Sequence, residues 1–369
     1  MKPMKACVIH DYEKGPNVED VTVLDPEPGE VLVRIAASGV CGSDLHVIHG
    51  RSVAANLPMV LGHEGAGVVE AVGAGVESVS PGTHVVIALY GPCLRCANCL
   101  AGEIVHCNGP ARMANIFGRM ADGSTRLRQG DVALHPMVGC GSLAEYVVVR
   151  ESMVVPVPDD VPLDVIALAG CGVTTGLGAV FNTAQVRPGQ HIAVVGCGGV
   201  GLNVVQGARI AGASVIVAVD SNPMKLDLAR KLGATHTVAV SDDTPMKDAV
   251  FEAVPGGVDV AFEVVGNAEL VAQVFELTRP GGTCVMVGSP AAGTKIPIDG
   301  RSLFSERRLM GTTGGSNVPH RDIPRIVELY RSGRLDLDTL ISQRLPLERV
   351  DEAFAAVEAG TVARSVITF

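Results

Sequence analysis

Cys93, Cys96, Cys99 and Cys107 fall within fifteen residues, at CxxC spacing. Thiols so spaced can wrap one Zn²⁺ tetrahedrally, with Zn–S bonds of about 2.3 Å. The segment around them, residues 91–110, is irregular and has little apolar material for a core, so a metal would hold it in shape. A redox CxxC pair is the competing reading, but the βαβ setting expected of one is missing here. An iron–sulfur cluster needs similar thiols and remains open at this point. A second set of candidates is dispersed: Cys41-Gly-Ser43-Asp44-Leu-His46, Gly62-His63-Glu64 and Gly170-Cys171-Gly172. Spacing alone cannot join these, and a lone cysteine is more often a small buried hydrophobe than a ligand.

A third constellation runs from His191 to Asp220. The apolar run Ile192 to Val195 reads as a strand buried on both faces. Gly196-Cys-Gly198-Gly199-Val200-Gly201 follows, then a stretch with Val200, Val204, Ala208 and Ala211 near helical spacing, then a second apolar run, Val215 to Val219, closing on Asp220. Gly196 allows a tight turn, Gly198 lets a pyrophosphate approach the backbone, and Gly201 lets helix and strand pack closely. The helix N-terminus offers free N–H groups to phosphates. Asp220 lies about twenty residues past the glycines, where a carboxylate binds the adenosine ribose of NAD and repels the 2′-phosphate of NADP. Lys225, just beyond, is a further candidate for coenzyme contact.

These residues need two kinds of scaffold. Residues 1 to about 90 alternate β-like runs (30–38, 64–73, 83–89) with turn signals at Pro26–Gly29 and Ser80–Gly82, which suggests an antiparallel, barrel-like domain. Residues 111–140 read as loop with a polar middle, and 157–162 as a punctuated passage into a second domain. Apolar runs at 192–195, 215–219, 236–240, 258–265, 283–287 and 308–312 supply six strands, with amphipathic stretches at 223–233 and 267–277 between them. That alternation reads as a doubly wound parallel sheet. Helices are expected at 322–332 and near 350–359, and the apolar tail 365–369 is expected to return to the first domain.

Composition narrows the function. The chain has 369 residues, 47 % of them hydrophobic, which is ample for two cores. A net charge of −10 with no basic run argues against nucleic acid and anionic membrane as partners. Residues 192–219 could pass a hydropathy scan for a membrane helix, but the glycine turn, Asn203 and Gln206 argue for a buried βαβ unit. The N-terminal segment MKPMKACVIHDYEKGP has no apolar h-region, so the expectation is a cytoplasmic protein. Ten cysteines in such a chain favour metal ligation or buried thiols over disulfides, and Cys7, Cys140, Cys197 and Cys284 read as packing residues.

In these motifs, taken in order, the chain resembles a zinc-containing medium-chain alcohol dehydrogenase along essentially its whole length. The resemblance rests on the CGSDLH turn, GHEGAGVVEAVG, the four-cysteine lobe, the GCG turn, GCGGVG with Asp220, and Arg364 in the tail. It implies an α/β plus mainly-β fold. A GroES-like barrel-type catalytic domain would span 1–172 and 313–369, with a zinc lobe at 91–110, and a Rossmann NAD-binding domain would span 173–312. It implies two Zn²⁺ per chain, with Cys41, His63 and Cys171 as ligands of the catalytic one. Cys₂His is the established ligand set of alcohol dehydrogenases as a class, so the assignment comes from the family and not from the spacing of this chain. Glu64 would lie behind that metal, and Asp44 would accept from the ring N–H of His63. Ser43 would take the alcohol's proton and pass it, through the coenzyme ribose, to His46, while hydride goes to the nicotinamide.

The substrate pocket would be lined by Leu89, Met137, Val138 and Ser289, with Met137 able to repack around varied shapes. Gly42 stands where many relatives carry a basic residue on the pyrophosphate, and Arg364 would supply a remaining phosphate contact. Ala111 and Ser52 lack the charged side chains that glutathione-dependent relatives use. The long 111–140 segment is a feature of dimeric members. The expectation is therefore a homodimeric, NAD-dependent oxidoreductase of small alcohols and aldehydes, most readily primary medium-chain or aromatic ones. A formaldehyde dehydrogenase acting on an adduct of another thiol, and a zinc-independent quinone or enone reductase, are the alternatives.

Overall fold

Runs such as Ile192–Val195 and Val215–Val219 show no polar alternation, so neither face can meet water. In the computed structural model, which describes residues 1–52, 55–241 and 245–369, they become the strands His191–Val195 and Val215–Asp220. These belong to a six-stranded, wholly parallel sheet in the order His236–Ala239, Val215–Asp220, His191–Val195, Val258–Glu263, Thr278–Met286, Arg308–Gly311. All six apolar runs became strands. Helices Gly199–Ile210, Pro223–Leu232, Met246–Ala253 and Ala268–Phe275 lie between strands in sequence. The strand order reverses at His191–Val195, and the glycine turn leaves from the carboxyl end of that strand. In doubly wound sheets this reversal is the place for a ligand.

The other region is built from a barrel and a sheet. Lys2–Ile9, Pro16–Val23, Leu127–Gln129, Val132–Pro136 and Met59–Val60 close into the barrel. The seven-stranded sheet contains Glu30–Val40, Glu64–Val72, His84–Ile87 and the tail strand Arg364–Thr368. That tail pairs antiparallel with Glu30–Val40, Ser365 opposite Val40, so the chain's end does return to the first region. The expected late helices are Pro319–Arg331 and Val350–Glu358.

Two expectations need correcting. Residues 111–140 are not loop throughout: Pro110–Ile116 is helical, and Leu127–Gln129 with Val132–Pro136 is a hairpin completing the barrel. The polar middle hid this because one of its charges, Arg126, is internal. Arg126 is buried and grips Glu30 with two bonds of 2.7 Å, and reaches Glu27 at 2.9 Å. The division of the chain also differs. The compact units are Met1–Cys171 with Val318–Arg331 and Ile341–Phe369, and Gly172–Asn317 with Ser332–Leu340. Residues 332–340 therefore belong with the parallel sheet. Gln206 holds them there, donating to the Asp336 carbonyl and accepting from its N–H, each at 2.9 Å. Among the described residues no single helix is long and apolar enough to cross a membrane; two short helices, Leu163–Gly170 and Gly172–Thr183, pass together only as a pair bent by 56°.

Candidate active site and metal centres

Cys93, Cys96, Cys99 and Cys107 bring their sulfurs within 4.8 Å of one another. Local backbone makes the cluster. Leu94 takes a left-handed φ of 57°, which turns the first CxxC back on itself. The N–H of Cys96 donates to Cys93 Sγ and the N–H of Cys93 to Cys107 Sγ, both at 3.3 Å. Gly109 must be glycine, since a Cβ there would lie 2.7 Å from Cys93 Sγ. The lobe's buried hydrophobic cluster is small, Ile104 with Cys99 and Cys107. Backbone N–H groups of Cys99 and Asn108 bring the Cys96 thiol down to about 6. Burial, and then the neighbouring thiols of Cys96 and Cys107, push Cys99 up to about 12. Four sulfurs so placed cannot all ionise without a cation among them, so the donor set fits a tetrahedral thiophilic metal.

Cys41, His63, Glu64 and Cys171 form a second cluster, fully buried, with one donor atom from each within 4.8 Å of the others. Cys41 precedes the helix Gly42–Ile48, Glu64 opens the strand Glu64–Val72, and Cys171 follows the 3₁₀ turn Ala167–Gly170. Asp44 ties the first two stretches together, accepting from the N–H of Cys41 at 2.9 Å and of Gly62 at 3.1 Å. It stands 3.4 Å from His63 Nδ1, so it neighbours the ring as expected, but its stronger bonds are to backbone. Both His63 ring nitrogens are buried without a hydrogen-bond partner. Nδ1 has the Asp44 carboxylate beside it, so a buried Nε2 grouped with two thiols and making no hydrogen bond fits a metal ligand.

The electrostatics agree. The Cys41 thiol is held well below its ordinary range, first by its hydrogen bond with Cys171, and the Cys171 thiol is held well above it. Burial works to lower the His63 pKa, but Asp44 and Cys171 raise it well above the ordinary value. Burial lifts Glu64 to about 7 against the pull of Arg364.

Arg364, expected at a coenzyme phosphate, has a partner the sequence did not suggest. It is 4 % exposed, with Nη1 3.4 Å from Glu64 Oε1 and 3.4 Å from the Val40 carbonyl, while Nη2 makes no hydrogen bond among the described residues. A buried carboxylate beside two thiols needs that counter-charge more than solvent needs the arginine. Gly39, which no sequence motif marks, makes room for the pair, since a Cβ there would meet Glu64 Oε2 at 2.2 Å.

Ser43 and His46 sit three residues apart on the helix Gly42–Ile48, both half-buried, and Ser43 Oγ lies 3.8 Å from Cys41 Sγ. Leu89 donates its N–H to the Gly170 carbonyl at 3.3 Å, which holds it beside Cys171. Val138 is half-buried in a left-handed turn with φ 45°. Met137 departs from expectation: it is packed in a core cluster with Leu61 and Leu143, so it is not a wall free to repack. Ser289 is exposed on the unit that carries the parallel sheet.

In that unit Gly196 has φ 95°, and a Cβ on Gly201 would lie 1.8 Å from the Gly196 carbonyl oxygen. A Cβ on Gly198 would meet nothing within 4 Å, so the space above the turn is open. Gly199 and Val200 start the helix Gly199–Ile210. The Asp220 carboxylate accepts from the N–H of Cys197 at 2.8 Å and of Asn222 at 2.9 Å. Lys225 lies in the first turn of Pro223–Leu232. An open, N–H-lined turn with an acid at the next strand's end fits a dinucleotide.

Residues 27–159 match the alcohol dehydrogenase GroES-like domain and residues 199–332 the zinc-binding dehydrogenase domain. The chain belongs to the zinc-containing medium-chain alcohol dehydrogenases. This dehydrogenase is 38 % identical to an S-(hydroxymethyl)glutathione dehydrogenase from Paracoccus denitrificans and 37 % to one from a Synechocystis species, over 99 % of each chain. Its fold matches the benzyl alcohol dehydrogenase of Acinetobacter calcoaceticus with a TM-score of 0.93 at 32 % identity, each chain fully covered. An alcohol dehydrogenase zinc-binding domain protein from Burkholderia ambifaria matches with a TM-score of 0.94 at 38 % identity, over 100 % of this chain and 99 % of that one. The dehydrogenase is thus a GroES-like and Rossmann-like oxidoreductase that uses zinc and a nicotinamide coenzyme.

Proposed function

We propose that the dehydrogenase reversibly oxidises primary alcohols, medium-chain or aromatic, to aldehydes with NAD. The observation that carries this reading is the buried Cys41–His63–Cys171 cluster, in which His63 Nε2 makes no hydrogen bond. These residues, with Glu64 behind them, would hold the catalytic zinc; Cys93, Cys96, Cys99 and Cys107 would hold the structural one. When bound, zinc and NAD supply Lewis acidity and a hydride acceptor. Ser43 then takes the hydroxyl proton and His46 delivers it to solvent. Gly196 to Gly201 receive the pyrophosphate, and Asp220 the adenosine ribose.

His46→Gln removes the last base of that relay and leaves the metal ligands untouched. Alcohol oxidation near neutrality is expected to fall roughly 10–100-fold, less than the usual span of a general base because solvent substitutes. The deficit should shrink as pH rises. A pH–rate profile identical to the wild type's would remove His46 from the mechanism.

Leu89 and Val138 are apolar and uncharged, which favours apolar substrates over polyols. Each methylene taken out of water is worth about 0.8 kcal/mol, or roughly fourfold in binding. kcat/KM is therefore expected to rise from ethanol to hexanol, with benzyl alcohol above ethanol and polyols poor. A flat or falling series would overturn the pocket assignment. The names of the curated relatives favour a second reading, oxidation of a formaldehyde–thiol adduct. Glutathione itself fits poorly. Ala111 and Ser52 carry no charge, and the adjacent cation, Arg112, is buried with its guanidinium over the Tyr90 ring, 4.8 Å from the centroid. Formaldehyde assayed with and without candidate thiols separates the two readings.

A cytoplasmic homodimer is part of the proposal. Arg308–Gly311 is an outer strand of its sheet, and nearby Phe304 is 91 % exposed, an edge a second copy could cover.

A further inference from the structure

Arg112 and Arg150 are costly residues where they stand. Arg112 lies on the helix Pro110–Ile116, shortly after Cys107, and is 7 % exposed. Arg150 ends the strand Tyr146–Arg150 and donates through Nη2 to the Gly91 carbonyl at 2.9 Å, two residues before Cys93, and to Asn115 Oδ1 at 3.4 Å. Both are buried at Nε with no partner. Neither pairs with a carboxylate among the described residues, whereas the buried Arg126 and Arg364 each have a glutamate. Arg112 is buried and Arg150 half-buried, and a guanidinium taken from water without a counter-charge is unfavourable. Burial lowers both guanidinium pKa values, and at Arg150 the nearby Arg112 lowers it further; the opposing attraction comes from Tyr90 and then Cys107 at Arg112, and from Cys107 and Cys93 at Arg150.

The counter-charge is the lobe itself. Four thiolates around one Zn²⁺ leave a net charge of −2, and the two arginines supply +2. We propose that Arg112 and Arg150 are the charge-balancing cations of the four-cysteine centre, which retains its metal because these two guanidiniums flank the segment that carries its sulfurs, Arg150 on the Gly91 carbonyl before Cys93 and Arg112 on the helix after Cys107. The same pair fixes the strap that leads from the catalytic cluster into the lobe. Leu89 is tied to the Gly170 carbonyl, Tyr90 lies under Arg112, and the Gly91 carbonyl is held by Arg150. Tyr90 is itself buried beside Cys171, which with burial pushes its hydroxyl up to about 12. Metal in the lobe and the geometry beside Cys171 therefore share one set of contacts.

The inference rests on reading the lobe as a zinc site, and its test separates the two claims. In a Cys171→Ser background, whose zinc is in the lobe alone, release to a chromogenic chelator in excess is followed by absorbance. Arg112→Met, which keeps volume and drops charge, is expected to speed release about tenfold or more. Arg112→Lys, which keeps the charge, should stay within about threefold of its parent. Arg150→Met should behave like Arg112→Met, and serves alone if that variant does not fold. Equal release from parent, Met and Lys variants overturns the charge-balance inference. A Cys171→Ser parent with no zinc overturns the reading of the lobe itself.

Discussion

Cys171→Ser is expected to lose one zinc per chain and nearly all turnover while the protein stays folded. A metal acting as Lewis acid contributes several kcal/mol to the transition state, and each 1.36 kcal/mol is tenfold in rate, so the loss should be on the order of 10³-fold or more. The fold should survive because the stretches around the site are not joined by metal alone. Asp44 clamps the N–H groups of Cys41 and Gly62, and Leu89 is bonded to the Gly170 carbonyl. Cys96→Ser should do the reverse. It removes the other zinc and lowers thermal stability first, since metal binding in a lobe with so little apolar core is folding free energy. Elemental analysis and thermal unfolding of the two variants are the measurements. A wild-type chain carrying a single zinc would sink the assignment of two centres.

That contrast also marks what could be read from the chain. The lobe was legible because its ligands are local: one short segment holds all four thiols, and a left-handed Leu94 and a glycine at 109 finish the geometry. The parallel sheet was legible because strands buried on both faces carry unbroken apolar runs. The catalytic cluster was not legible from spacing, since Cys41, His63 and Cys171 come from separate elements and only the resemblance joined them. Charge misled in two places. The polar stretch around Arg126 reads as loop and holds a buried pair with Glu30, and Arg364 lies against Glu64, a contact no motif suggests. In each case the partner lies far along the chain, so no local pattern reports it. Arg112 was missed for a different reason: the ring it lies over, Tyr90, is close in sequence, but an arginine on an aromatic face leaves no pattern of opposite charge to read.

Coenzyme choice should be decided at Asp220, and wild-type kcat/KM is expected to favour NAD⁺ over NADP⁺ by about 100-fold or more. The carboxylate ends the strand Val215–Asp220 and is fixed there by the N–H groups of Cys197 at 2.8 Å and Asn222 at 2.9 Å. Each oxygen uses one such bond and keeps capacity to accept from a ribose hydroxyl. A 2′-phosphate in the same place brings charge of about −2 toward a carboxylate that, among the described residues, has no cation bonded to it. Two unit charges 4 Å apart near a protein surface repel by about 4 kcal/mol, which is ample for the stated preference. Asp220→Gly should raise KM for NAD⁺ about tenfold and narrow the gap to NADP⁺. It also frees the Cys197 N–H, so part of its effect would be a loosened glycine turn. Asp220→Asn isolates the charge, because the amide oxygen can keep one of the two backbone bonds. If charge decides, Asn should recover much of the NAD⁺ affinity lost in Gly while still admitting NADP⁺ better than the wild type does. Coenzyme titrations by NADH fluorescence, beside steady-state kinetics with both coenzymes, would read this directly. Equal wild-type kcat/KM for the two coenzymes would show that Asp220 serves the turn alone.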